Sequence, residues 1–140
     1  MESIMSIFTP KKMTSFLNEN VTVRQAIEIF DVHKYAVIPL VDNDGHFVGT
    51  LSEGDLLRFL KNKVGYDIKA TEKVSVKEME RYREYRSLEV SSMWSEFFVL
   101  SLDQNFIPVV DDKGIYIGIV TRREIIKFLS DKVELQYKDK

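Results

Sequence analysis

The stretch Val37-Ile-Pro-Leu-Val-Asp-Asn-Asp-Gly-His-Phe-Val-Gly-Thr-Leu-Ser-Glu-Gly-Asp-Leu-Leu57 recurs without a gap as Phe106-Ile-Pro-Val-Val-Asp-Asp-Lys-Gly-Ile-Tyr-Ile-Gly-Ile-Val-Thr-Arg-Arg-Glu-Ile-Ile126, at a constant offset of 69 residues. Between Ile38 to Leu60 and Ile107 to Leu129, eight of 23 positions are identical and most of the others exchange like for like. The chain is an internal duplication, and each copy is one supersecondary unit.

Working outward from the first copy, Val23, Ala26, Ile27 and Phe30 fall at helical spacing, which predicts an amphipathic helix from Val23 to about His33. Ala36 to Val41 is a short apolar, β-branched run closed by the turn Asp42-Asn-Asp-Gly45. A second strand, Phe47 to Leu51, follows, and Ser52 opens another helix carrying Leu56, Leu57, Phe59 and Leu60. The second copy repeats this order from Met93 to Ser130, with Trp94, Phe97, Phe98 and Leu100 giving its first helix a bulkier apolar face. That face is either extra core volume or an aromatic wall toward a ligand or partner.

The copies divide the chain into a first repeat with its N-terminal segment (1–63), a charged linker (64–89), and a second repeat with its tail (90–140). Within the linker, Val76, Met79, Tyr82 and Tyr85 predict a solvated helix around Lys77 to Arg86, flanked by Arg81, Arg83 and Arg86. Near the start, Ile4, Ile7 and Phe8 precede Thr9-Pro10-Lys11-Lys12, and Phe16-Leu17 is a candidate short strand. The tail from Asp131 to Lys140 is expected to be a fraying, charged helix end.

Composition narrows the function. With 140 residues, 44% hydrophobic and 30% charged, the chain has an ordinary globular balance, and no window approaches the roughly 18 apolar residues of a membrane helix. A cytoplasmic protein is expected. The absence of cysteine removes disulfides, thiolate nucleophiles and sulfur-ligated metals, and His33 and His46 alone make a histidine metal site a poor reading. A net charge of -2, with both signs alternating through Lys73 to Arg86, argues against nucleic acid as a partner. No nucleophile and base set, phosphate-cradling glycine loop or metal-ligand spacing stands in the sequence, so no enzyme and no covalent cofactor are expected.

The motif with chemistry in it is Gly49-Thr-Leu-Ser52-Glu-Gly-Asp55, with its counterpart Gly118-Ile-Val-Thr121-Arg-Arg-Glu124. A hydroxyl followed three residues later by a carboxylate at a strand-to-helix junction is a capping box. The same geometry offers free N–H groups, a positive dipole end and a short carboxylate to ribose hydroxyls. Both readings stay open, with Ser52 and Asp55 the better ribose pair because Glu124 is longer. Arg122 and Arg123 sit in the first turn of a helix, where they oppose its dipole, so they either call for a compensating anion or are solvated or paired with acids elsewhere.

The complete arrangement resembles a tandem pair of cystathionine beta-synthase (CBS) domains, the Bateman module, through Ala26, Tyr35 to Asp42, Gly45 and Gly49 to Asp55, and through Ile107 to Asp111, Gly114 and Gly118 to Glu124. The resemblance implies an α/β (α+β) fold of two β-α-β-β-α repeats related by a pseudo-twofold axis, usually paired into a disc-shaped homodimer. It also implies adenosine-containing ligands in clefts between the repeats. Ser52 and Asp55 would hold a ribose, with Thr121 in the equivalent place of the second cleft, while Thr50, Tyr35, Ala36, Ile38 and Pro39 would line an adenine through backbone groups and apolar contact. Some family members bind phosphate with a basic residue two before the central proline, but those positions here are Val37 and Phe106. Arg122, Arg123, Lys11 and Lys12 are therefore the phosphate candidates.

The resulting expectation is a non-catalytic regulatory module that senses AMP, ADP, ATP or, as in some short bacterial CBS proteins of similar layout, cyclic di-AMP, and signals to an effector protein. The alternative is a ligand-free dimerisation or docking domain.

Overall fold

The computed structural model describes residues 3–138 and divides into two compact units. One is Ser15–Glu84. The other joins the segment ending at Thr14 to the chain from Tyr85 onward.

In the Ser15–Glu84 unit, strand β2 (Leu17–Asn18) runs parallel to β3 (Val37–Val41), which pairs antiparallel with β4 (Phe47–Ser52). Helix α1 (Val23–His33) starts where the sequence encodes a full capping box: Thr22 Oγ1 accepts from the Gln25 amide at 3.1 Å, and the Gln25 side chain accepts from the Thr22 amide at 2.9 Å. It ends at Lys34, whose φ of 57° is left-handed. Helix α2 (Glu53–Asn62) follows β4 directly. Leu17, Val23, Ala26, Phe30, Ile38, Leu40, Leu51 and Leu56 form one core with Val76 and Met79.

Those last two residues come from the segment expected to be a solvated helical linker. No α-helix forms there. Short 3-10 turns cover Ile68–Lys73 and Val76–Glu78. Around them the backbone is extended and bonded to the loop before α1, through Val23 N to Val74 O at 2.8 Å and Val76 N to Val21 O at 2.9 Å. Arg83, at φ 52°, then interrupts any helical path. Of the spaced apolar residues Val76 and Met79 reach into the core while Tyr82 is exposed, and burial of Val76 outweighed helix propensity.

The other unit carries a four-stranded sheet in the order β1 (Thr9–Pro10), β7 (Tyr116–Thr121), β6 (Phe106–Val110), β5 (Leu88–Glu89). The expected grouping of the N-terminal segment with the first repeat differs from this arrangement, because β1 pairs antiparallel with β7, Pro10 opposite Gly118. Helices α3 (Trp94–Leu100) and α4 (Arg122–Lys138) flank the sheet strands in sequence. Ile4, Phe97, Ile107, Val109, Val120 and Ile125 make its core. Trp94 stacks on Phe128 with ring centres 4.4 Å apart, so the bulky face of α3 is in part core packing. Burial pushes the Tyr116 phenol up to about 12, and its hydroxyl shares a 2.8 Å hydrogen bond with Thr14 just beyond β1.

The duplicated turns are built alike. Asp42 accepts from the amides of Asp44 and His46, and Asp111 from those of Lys113 and Ile115, all at 2.8–3.0 Å. Of the expected charged tail, Asp131 to Lys138 continues α4, while Asp139 and Lys140 lie outside the described residues. Among the described residues, no helix is long and apolar enough to cross a membrane.

Candidate functional site

The Ser15–Glu84 unit brings seven of the predicted residues together on β3, β4 and the start of α2. In the β3–β4 register, Ile38 stands opposite Leu51, Pro39 opposite Thr50, and Val37 opposite Ser52. The strand-to-helix junction is tied to the entry of β3 by the Glu53 amide, which donates to Ala36 O at 3.0 Å. Tyr35 and Ala36 therefore sit beside the helix start that carries Ser52 and Asp55. Ile38, Pro39 and Thr50 are buried, Tyr35 and Ser52 are half-buried, and Ala36 is exposed.

The bond from Glu53 to Ala36 has a consequence for Val37. It marks the Val37–Ser52 pair as one that exchanges no hydrogen bonds, so alternation turns the Val37 N–H and C=O away from β4. Pro39 faces the same way, and its missing N–H falls on the outer side of the strand, where proline is tolerated. On that side β2 covers only Leu40 and Val41. Val37 thus presents one donor and one acceptor on an open strand edge. Sequence reading passed over it because its side chain is not basic, whereas the chemistry lies in its backbone.

Asp55 is 1% exposed and accepts three hydrogen bonds from its own chain. Its Oδ2 accepts from Ser52 N at 3.0 Å while Ser52 Oγ accepts from Asp55 N at 3.1 Å, completing the capping box. Its Oδ1 accepts from the Tyr82 amide at 2.8 Å and from Arg58 Nη2 at 3.3 Å, and the Arg58 guanidinium lies 4.3 Å from the centre of the Tyr82 ring. The sequence marks Tyr82 only by its apolar spacing in the linker and does not mark Arg58 at all. Tyr82 acts through an amide, which leaves no trace in residue type.

In the other unit, Thr121 Oγ1 accepts from Glu124 N at 3.1 Å. Among the described residues, the return bond formed by Asp55 has no counterpart from Glu124. Arg122, weighed as an anion ligand, is engaged elsewhere: its guanidinium donates to Ser101 O at 2.7 Å, Leu102 O at 3.4 Å and Asn105 Oδ1 at 3.0 Å. These carbonyls close the C-terminal end of α3, where a cation meets the negative end of the helix dipole. The compensation that Arg122 required at the start of α4 is thus supplied by the end of α3. Arg123 is exposed. Lys11 and Lys12 leave β1 past Gly118 toward the Tyr116 end of β7, whereas Thr121 to Arg123 lie at the opposite end of that strand. The two basic pairs are therefore not brought together within this unit.

This arrangement sets the expected effect of removing each arginine. Arg122→Ala should lower stability by about 1–3 kcal/mol, as expected for lost charge-assisted hydrogen bonds, and Arg123→Ala should stay within about 0.5 kcal/mol of the parent. Urea unfolding of the two variants checks this, and equal midpoints would remove the α3 cap from the account.

The model of the CBS domain matches residues 10–62 and 76–131. An A-adding tRNA nucleotidyltransferase of Aquifex aeolicus is 28% identical over 120 residues, covering 84% of this chain and 13% of that protein. The chain spans about an eighth of that relative's length. Among solved structures, CbpB in complex with c-di-AMP superposes with a TM-score of 0.87 at 15% identity, covering 99% of this chain and 91% of that one. CBSX2 in complex with AMP gives a TM-score of 0.68 at 24% identity, covering 99% of both chains. At these identities the likeness to the two solved structures is one of fold. Two family matches in tandem, covering both copies of the duplicated strand-turn-strand-helix, place this chain in the CBS domain family.

Proposed function

We propose that this chain is a non-catalytic regulatory module that binds an adenine nucleotide and passes its occupancy to an effector protein. The observation that carries the reading is the open edge at Val37, flanked by Tyr35 and Ala36 and joined by the Glu53–Ala36 bond to the start of α2. A strand edge with one N–H and one C=O in line complements the donor and acceptor pair on the rim of an adenine. The hydroxyl of Ser52 lies on the strand opposite, in reach of a sugar, and Asp55 holds that hydroxyl's turn in place. An ionised carboxylate accepts about four hydrogen bonds. Asp55 already accepts three from its own chain, so one lone-pair site remains for a ribose hydroxyl. Family membership supports the reading, as do the fold neighbours whose structures hold c-di-AMP and AMP.

A ligand-free docking module is the competing reading, favoured by the burial of Asp55 and by the three bonds it already accepts from its own chain. Thermal unfolding against AMP, ADP, ATP and cyclic di-AMP separates the two. A ligand at about 100 times its dissociation constant adds roughly 2.7 kcal/mol, which raises the midpoint by several degrees. A shift with at least one of the four is the expected result. No shift with any of them would leave docking, and light scattering of the same samples reads whether the chain pairs as the proposed homodimer.

A further inference from the structure

The two copies are not equivalent at the strand edge just described. Asn105 O accepts from Arg122 N at 2.8 Å, as Ala36 O does from Glu53 N, so Phe106 turns its N–H and C=O outward as Val37 does. In the second copy, however, the carbonyl on that edge is taken by the chain itself. Gln104, 5% exposed, donates from Nε2 to Phe106 O and to Arg86 O, both at 3.1 Å, and accepts the Arg86 amide on Oε1 at 2.8 Å. Its side-chain amide stands in for a strand residue and laces the segment at Arg86 onto β6. The Tyr85 hydroxyl accepts from Asn105 N at 3.2 Å, and the Tyr85 ring meets that of Phe106 edge-on at 4.9 Å between centres.

The residue 69 positions before Gln104 is Tyr35, which has no amide to offer. Its hydroxyl bonds to Ser15 Oγ instead, and its ring stacks with that of His33 at 5.3 Å. No hydrogen bond to Val37 on the outer side of β3 occurs among the described residues. Removing Gln104 from its three bonds to admit a base would strand buried polar atoms, whereas no such bonds have to be broken at Val37.

We infer that the chain has one base-reading edge, at Val37, and that Gln104 closes its counterpart at Phe106, so that each chain takes up a single adenine nucleotide. This inference rests on the proposed nucleotide-binding function and adds which copy carries the site.

Titration calorimetry of the full chain with AMP and, separately, with cyclic di-AMP tests it. With whichever of the two binds, the expected stoichiometry is no more than one per chain. Val37→Pro removes the N–H on the open edge, where proline fits the ladder, and should weaken binding at least about tenfold. Phe106→Pro makes the same change on the closed edge and should leave the dissociation constant within about twofold. Ala36→Glu provides a second variant at an exposed position, and the charge it places beside the Val37 edge should also weaken binding at least about tenfold. Two nucleotides per chain, or an unchanged affinity in both Val37→Pro and Ala36→Glu, would overturn the single-edge assignment while leaving nucleotide binding standing. Binding of neither nucleotide to the parent chain would overturn both.

Discussion

Replacing Asp55 with alanine is expected to lower unfolding stability by about 2–4 kcal/mol, whether or not nucleotide is present. The carboxylate is 1% exposed and accepts from the amides of Ser52 and Tyr82, so truncation leaves two amide donors without their partner. Each buried donor left unsatisfied costs about 1–3 kcal/mol, and loss of an N-terminal cap interaction belongs to the same range. The Arg58 contact adds little, because that side chain is 45% exposed and solvent screens the pair. At roughly 3–5 °C per kcal/mol for a chain of this length, the midpoint should fall by on the order of 10 °C. Thermal unfolding with and without cyclic di-AMP measures it. A variant that keeps its midpoint but loses the ligand-induced shift would assign Asp55 to ribose instead of the fold. A loss in both would mean that the residue does both tasks.

Gly118→Ala should be at least as damaging, at about 3 kcal/mol or more, while the matching change Gly49→Ala should cost about 1–2 kcal/mol. Both glycines have positive φ, 155° and 146°, which a side chain makes unfavourable. They differ in what stands beside them. An added Cβ at Gly118 would lie 2.2 Å from Thr9 O and 2.5 Å from the Phe8 ring, so it meets backbone that is itself strand β1. At Gly49 it would meet Glu84 Oε1, the free end of an exposed side chain that can swing away from its ion pair with Arg81. The larger substitution penalty should therefore come with detachment of β1, seen as faster hydrogen exchange at the Thr9 amide. Equal costs at the two glycines, with unchanged exchange at β1, would contradict the close approach.

Much of the fold was legible because the sequence states it locally and twice. The extent of α1 follows from Thr22, Gln25 and the spacing of Val23, Ala26 and Phe30, and the hairpin turns follow from Asp42 and Asp111 bonding their own backbone. The Ser52–Asp55 capping box was one of two readings held open, and the structure forms it in full. What was not legible depends on partners far away along the chain. Ile4 belongs to the core of the Tyr85–Lys140 unit, and no local pattern reports that β1 pairs with β7. Arg122 looked like an unbalanced charge because its three acceptors lie on a different helix end. The candidate site was legible as a neighbourhood, since Tyr35 to Pro39 and Thr50 to Asp55 do meet, but its polar edge is a matter of which way Val37 turns its backbone.

The pairing of Thr9 with Ile119 links residues about 110 positions apart, which gives the molecule a direction in time. The segment Ser15–Glu84 holds everything its own sheet needs and can close while the rest is still being synthesised. Strand β1 is made about 110 residues ahead of the strand it pairs with. It must wait, unpaired, until β7 has emerged and formed, so a slow step in folding should belong to the Tyr85–Lys140 unit and to the docking of Thr9 and Pro10 beside Gly118.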